Sequence, residues 1–417
     1  MVTEARASPS AAPGAGFNPR SLDAINFFLA DARGAVGPYL NVYLVTAQGW
    51  SQSALGVVTL VSGIAALVLQ TPIGAAIDRT HRKRGAIVLA LAVMAVGAAI
   101  IFFRSDFWSV LVASTMISVV GDVFAPAVAA LTLGLVGRRG LARRTGRNAA
   151  FDHAGNVLIA LIAALVGWQV SQRAVFLLMP VFAVMAAAAT LSIPPRAIDH
   201  DLARGADADG KSVRSGWSVL VRHRPLVIFG ISVFLFHFAN APLLPLVGQV
   251  LAFAHPDWAT AMMSVCIVAA QVVMLLIAVL VGRMADRWGR KPIFLVGFAT
   301  LPVRAVLFTL SHDSGWLIAV QLLDGIGAGI YSVLTPLVVA DIMRGTGRYN
   351  LAQGAVATMT GIGASLSGLA AGVIVDALGF DAAFLVLGLV AAIAAVVFMM
   401  AMPETRPEEA RVQATRA

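Results

Sequence analysis

Charge is what this sequence of 417 residues has little of: Asp, Glu, Lys and Arg make up 12% of it, against 59% hydrophobic residues. A soluble domain averages about 25% charged and about 45–50% apolar residues, so a soluble globular protein is excluded. Cysteine is scarcer still. Cys266 stands alone inside an apolar run, which excludes an internal disulfide and a cysteine-based metal cluster and leaves helix packing as its reading. The first twenty residues, MVTEARASPSAAPGAGFNPR, contain no apolar h-region, so no cleavable signal peptide is expected and they read as a disordered tail. No Gly-x-x-x-x-Gly-Lys-Ser/Thr loop, zinc-ligand spacing, catalytic triad or nucleophile elbow occurs. ATP drive and enzyme function therefore lack support, and no cofactor or metal is expected.

What is abundant is length of apolar chain. The mean hydropathy is +0.86, and apolar stretches of about 20 residues, each able to cross a hydrocarbon core of roughly 30 Å, recur throughout. Six spans fall near residues 22–45, 53–77, 86–104, 107–136, 146–170 and 174–193, and six more near 224–252, 259–284, 292–311, 315–344, 349–377 and 380–402. Between them lies PPRAIDHDLARGADADGKSVRSG, a polar segment with charges of both signs and glycine breaks, which reads as a linker. The expected fold is an all-α membrane protein of about twelve transmembrane helices in two six-helix bundles. Its parts would be a tail over 1–21, bundles over 22–193 and 224–402 joined by a linker over 194–223, and a second tail over 403–417.

The net charge of +9 does not point to nucleic acid, because the cations sit in short loops where they set topology. One set of connections carries Arg79, Arg82, Lys83 and Arg84, then Arg138, Arg139, Arg143, Arg144 and Arg147, then Arg287, Arg290 and Lys291. The opposite connections, TAQGWSQ and AFAHPDW, have no Lys or Arg. The positive-inside rule places the loaded loops, the linker and both termini in the cytoplasm.

Two decapeptides, GAAIDRTHRK from Gly74 and GRMADRWGRK from Gly282, lie 208 residues apart, each between the second and third span of its half. A second echo follows the fourth span of each half: TGRNAAFDHAGN and TGRYNLAQGAVA. Two markers in the same order indicate a duplicated six-helix unit, the way many secondary transporters are built. The pattern Gly-x-x-x-Asp-Arg-x-x-Arg-Lys after the second and eighth spans resembles the signature loop of the major facilitator superfamily. The match covers Gly282, Asp286, Arg287, Gly289, Arg290 and Lys291, and Gly74, Asp78, Arg79, Arg82 and Lys83, with His81 where the family usually has Gly. The resemblance implies a latch that holds the cytoplasmic side closed and breaks as the carrier turns inward. The chemistry agrees: a carboxylate at the negative end of a helix needs a cation, and arginine supplies a bidentate one. Topology determination by basic loops is the plainer alternative.

Ionised groups inside the bilayer are costly unless they pair or face a cavity. Asp31 and Arg33 sit mid-span in INFFLADARGAVGPYLNVYL, and aligning the first spans of the two halves sets His237 opposite Asp31 and Asn240 near Arg33. The resemblance implies that these two helices line the central cavity. Asp31 and His237 are therefore candidate protonation sites, since burial moves a carboxylate's proton affinity and histidine titrates near neutrality. Arg33 and Asn240 are candidate substrate contacts. A static Asp31 ion pair and a packing histidine remain alternatives. Asp122 and Asp324 occupy similar places in the fourth and tenth spans and join the proton-coupling candidates. Gln271 and Gln321 could donate to a substrate or bridge helices, as could Gln70. Asp152 and His153 lie close enough to the basic loop to pair with Arg143, Arg144 or Arg147.

The favoured reading is a monomeric, proton-coupled carrier of the inner membrane that exports a small organic solute by alternating access. The alternative is proton-coupled uptake of an organic anion or a metal chelate such as a siderophore. A non-transporting membrane sensor is a third. The fifth span, AGNVLIALIAALVGW, lacks the Gly-Pro pair usual in the drug/proton antiporters that the chain otherwise resembles.

Overall fold

The computed structural model describes residues 17–30, 36–80, 82–199, 223–344 and 349–406. The described chain is helical almost throughout, because a segment in hydrocarbon must satisfy its own amides and carbonyls. The elements are α1 (Pro19–Leu29), α2 (Val36–Thr46), α3 (Gln52–Arg79), α4 (Lys83–Phe103), α5 (Phe107–Gln169), α6 (Leu178–Leu191), α7 (Arg224–Asn240), α8 (Leu243–Ala254), α9 (Ala259–Trp288), α10 (Arg290–Leu310), α11 (Ser314–Ile342), α12 (Tyr349–Leu378) and α13 (Phe380–Ala401). Among the described residues, ten helices are long and apolar enough to cross a membrane. The two expected spans outside these ten are 22–45, of which α1 and α2 are described, and 107–136, the first limb of α5.

Three boundaries differ from the sequence reading. The fourth and fifth spans follow one another directly within α5: the helix breaks at Gly137, where φ is 70° and ψ 173°, and resumes at once, so the fifth helix begins well before residue 146. The stretch GLARRTGRN has no proline and continues as helix rather than loop. The seventh span is divided into α7 and α8 at Ala241 and Pro242, since proline offers no N–H to the helix ladder. The first residues of the supposed linker also belong to the first bundle: Ala197 and Ile198 are buried in its core, and the Asp199 amide bonds the Gly134 carbonyl at 3.0 Å.

Each half has its own apolar core, one running from Leu22 to Ile198 and one from Leu226 to Met402. A third, smaller cluster joins them, packing Tyr39, Val42, Ile159 and Ala163 against Ala252, Ala259 and Met263. The remaining contact between halves runs along α3 and α12. There, Gly56 approaches Leu369 so closely that a Cβ would lie 2.6 Å from its Cα, and Gly361 packs on Leu67. Small residues allow such backbone approach where the bilayer supplies no hydrophobic drive between helices. On the second seam, Gly167 of α5 packs on Thr260 of α9 and Trp168 stacks on Trp258 at 5.2 Å. These close contacts gather toward the loops that lack Lys and Arg. Gly146, Gly282 and Gly354, toward the arginine-rich side, are exposed with open space at their Cβ positions.

Candidate functional site: a polar cavity between the halves

A cavity of about 260 Å³ lies between the two bundles, walled by α2, α3, α5, α8 and α12. Its polar lining is Asn41, Gln52, Thr59, Ser62, Ser118, Gln249 and Ser365, and Leu55, Pro242, Pro245 and Leu246 form its apolar face. No charged side chain lines it among the described residues. Helical spacing explains the wall of α3: Gln52, Gly56, Thr59 and Gly63 recur at three- and four-residue intervals and so share a face. The Thr59 hydroxyl donates to the Leu55 carbonyl at 3.1 Å and the Ser62 hydroxyl to the Val58 carbonyl at 2.7 Å, leaving both oxygens only as acceptors. Asn41, Ser118 and Ser365 make no hydrogen bond among the described residues and offer donors as well as acceptors. The arrangement suits a small uncharged solute that both donates and accepts hydrogen bonds.

At the end of the cavity next to the loops that lack Lys and Arg, Gln52 Nε2 donates to Gln249 Oε1 at 2.7 Å across the halves. Both side chains are buried. Tyr39 and Ser264 meet hydroxyl to hydroxyl at 2.8 Å on the second seam. His153 Nδ1 and Gln271 Oε1 meet at 3.1 Å on that seam, so His153 is paired across the bundle rather than with the nearby arginines.

The second polar cluster lies inside the second half. Arg304 of α10, 1% exposed, bonds Asp324 of α11 through Nη1 and donates from Nη2 to Asn240 Oδ1 at 2.8 Å. Gln321 Nε2 donates to the other Asp324 oxygen at 3.1 Å, the i, i+3 spacing bringing both onto one face. Thus Asn240, Gln321 and Asp324 are brought together, around an arginine that the motif reading passed over. The signal was present: a lone cation in the apolar run LPVRAVLF. His237 lies one turn from Asn240, its ring 4.6 Å from that of Tyr331, with Nε2 buried and unpartnered among the described residues. None of these residues lines the cavity between the halves. Asp31 and Arg33 lie outside the described residues. Asp122 falls in the first limb of α5 and Gln70 in α3; the Asp122 side chain is not among those described.

The loop motifs are placed unequally. Gly74, Asp78 and Arg79 close α3, and Asp286 lies near the end of α9; their side chains are outside the described set, as is His81. Arg82 is exposed before α4, and Lys83 is buried. In the second loop Gly289 turns the chain with φ 96°, exposed Gly282 and Arg287 precede it, and buried Arg290 donates from Nε to Asp341 Oδ2 at 3.0 Å. Glu404, read as part of a tail, accepts from the amides of Arg290 and Lys291 at 2.9 and 3.1 Å and caps α10. In the first half the basic run serves a different carboxylate: Arg144 and Arg147 both bond buried Asp23 of α1, at 2.5 and 2.7 Å.

These features agree with what the chain is similar to. The Major Facilitator Superfamily matches it over residues 22–283 and 257–417. The MFS-type transporter Rv2456c of Mycobacterium tuberculosis is 52% identical over 398 residues, which cover 94% of this chain and 95% of that one. Citrate exporter 1 of Yarrowia lipolytica is 28% identical over 141 residues, 33% of this chain and 20% of that protein. The crystal structure of the nucleoside transporter NupG superposes with a TM-score of 0.74 at 15% identity, over 91% of this chain and 98% of that chain, which is a likeness of fold. With a duplicated six-helix unit, a cavity between the halves and a family match spanning nearly the whole sequence, this chain belongs to the major facilitator superfamily of multi-pass membrane transporters.

Proposed function

We propose that the chain is a proton-driven carrier that exports a small, uncharged, hydrogen-bonding organic solute, with the cavity between the halves as its binding site. The observation that carries the substrate class is the lining: amides, hydroxyls and an apolar face, with no charged side chain among the described residues. An anion or metal chelate would leave its charge without a partner there, which disfavours the uptake reading. The volume of about 260 Å³ is just below the range of about 300–1,000 Å³ usual for ligand pockets, as expected for a small solute.

The placement of the seams supports a conformation closed on the side of the loops that lack Lys and Arg, and under the positive-inside rule that side faces away from the cytoplasm. Solute would then enter from the cytoplasm, both termini lying there, in the inner membrane of a bacterium. For direction alone, one third of the chain is similar to a citrate exporter, whose anionic solute the cavity lining does not match. For the proton, Asp324 is the carboxylate we assign: loss of its charge leaves buried Arg304 without a counter-ion, a change strong enough to move α10 against α11. Arg304, Cys266, Asn240 and Gln321 are the groups that face it. The repeated loops at Asp78 and Asp286 would latch the cytoplasmic side in the other half of the cycle, and a monomer suffices for both.

The test uses purified protein in liposomes with a pH dye inside, an imposed proton gradient, and pools of neutral polyols and amides, organic anions and organic cations. Proton movement that depends on the neutral pool, is abolished by Asp324→Asn and is weakened by Ser118→Ala supports the proposal. Movement driven by the anion pool instead, or untouched by Asp324→Asn, overturns the corresponding part.

A further inference from the structure

Asp376 sits near the end of α12, in the second half, yet its bonds are made to the first half. Its two carboxylate oxygens accept from the backbone amides of Gln52 at 2.9 Å and Ser53 at 2.7 Å, the first residues of α3. The opening amides of a helix have no partner within it, and they form its positive end. Ser51 Oγ takes the Ala54 amide at 3.2 Å, so the start of α3 is capped jointly by its own chain and by a carboxylate from the opposite bundle. One turn earlier on α12, Gly372 presses on the Gln52 carbonyl, where a Cβ would not fit. Gln52 is thereby fixed by its backbone, and in this position its side chain reaches Gln249 over the end of the cavity.

The sequence repeat assigns meaning to the position. The offset of 208 residues that relates the two decapeptides carries Asp376 onto Trp168 and Gln52 onto Thr260. Trp168 also contacts the opposite bundle, stacking on Trp258 just ahead of the start of α9, and Gly167 beside it packs on Thr260. The duplicated fold thus closes both seams at the same internal position, once with an aromatic stack and once with a carboxylate on a helix terminus. The aromatic stack can slide apart gradually, whereas two hydrogen bonds to backbone amides are made or broken together.

We propose that Asp376 is the positioning residue of an outer gate: it clasps α3 across the halves, holds Gln52 against Gln249 over the cavity, and releases before the cavity opens to the side away from the arginine-rich loops. The proposal deepens the cavity reading and rests on it for what passes the gate. The Ser53 hydroxyl also hydrogen-bonds the Asp376 carboxylate, but the two backbone amides, which no substitution at 53 removes, carry most of the clasp. Removing two charge-assisted hydrogen bonds at an exposed site shifts the closed-to-open ratio by about threefold to tenfold.

The experiment measures spin-label distances by double electron–electron resonance in purified protein carrying Cys266→Ala. One pair, Gln48→Cys with Asp257→Cys, spans the halves on the side away from the arginine-rich loops, and the other, Gly146→Cys with Gly282→Cys, reports on the arginine-rich side; all four positions are exposed. Asp376→Asn and Asp376→Ala are expected to raise the longer-distance population of the first pair about threefold to tenfold without lengthening the second. Asp376→Glu should return it toward wild type, and Ser53→Ala, which keeps both amide bonds, should raise it less than Asp376→Ala does. An unchanged first pair in Asp376→Ala, or lengthening of both pairs together, overturns the gate. No solute or proton gradient enters the measurement, so its outcome is separate from that of the liposome screen.

Discussion

Replacing Asp324 with asparagine keeps the shape of the side chain and removes its charge, and burial ranks the variants of this pair by the damage each should do. The Arg304 side chain is 2% exposed and that of Asp324 17%. Breaking a buried pair from one side costs on the order of 3–5 kcal/mol, because the remaining charge stays buried without compensation. Asn240 accepts from Arg304 but is neutral, so it cannot replace the lost counter-charge. Asp324→Asn strands the more deeply buried partner and should be the most harmful variant. Arg304→Gln strands Asp324, which keeps the Gln321 amide and some solvent, and should be milder. The double variant restores neutrality and should be milder than Asp324→Asn alone, a coupling that only a double-mutant cycle exposes. For a unit the size of one half, each kcal/mol moves Tm by about 2–4 °C, so Asp324→Asn should lose on the order of 10 °C in detergent. Thermal unfolding followed by size-exclusion chromatography on all four proteins gives the cycle. Additive losses in the double variant would refute the pairing argument and, with it, the assignment of Asp324 as the switch.

Two further outcomes are expected. Gly56→Ala places a Cβ 2.6 Å from the Leu369 Cα, where only backbone movement relieves it, and should cost about 1–3 kcal/mol, whereas Gly354→Ala meets open space and should be neutral or stabilising; comparing their Tm values checks both. Asp106 caps α5 by accepting from the Ser109 hydroxyl and amide, which hold its carboxyl below the usual carboxylate range. A lowered folded value means the contribution is complete above the unfolded value of about 3.9 and is lost as the pH falls through the folded one. The Tm gap between wild type and Asp106→Ala should therefore be full at pH 7 and begin to narrow as the pH falls below about 4; a gap of undiminished size at pH 3 counts against the charge-assisted cap.

The architecture was legible because its signals are long or repeated: apolar runs of span length, and two decapeptides at one offset. The interruptions were less so. Proline at 242 and 245 marked the break between α7 and α8, but hydropathy averages over it, and the proline-free stretch after Gly140 gave no reason to stop the helix through the arginines. The cavity was hardest to foresee. Sequence reasoning searched for costly groups in the membrane and so reached Asp324, His237 and Asn240, which the structure gathers within one half. Asn41, Ser118 and Ser365 cost little on a helix and carry no periodic signature; only the approach of the two bundles makes them neighbours. Asp376 lay in VIVDALG at the end of a span, where a carboxylate reads as a solvated end, and its partner amides are 323 and 324 residues away.

Duplication makes the two halves alike in path but not in electrostatics. At the same offset of 208 residues, Arg304 corresponds to Val96, which is half exposed on the outer face of α4. The buried cation of the ninth span thus has no counterpart in the third, and the Arg304–Asp324 pair belongs to one half alone. The gate follows the same rule, a carboxylate at 376 answering a tryptophan at 168. A carrier that rocks two similar bundles about a central site needs geometric equivalence so that both end states can pack. It equally needs something to bias one state over the other, and a ligand shifts that balance only by binding the two states differently. Protonation can do so only where charged groups stand. If Asp324 is that group, the proton acts on the second half while the first moves as a passive counterpart. Charge changes confined to the seam of Trp168 and Trp258 should then alter the rate of switching without altering its dependence on pH.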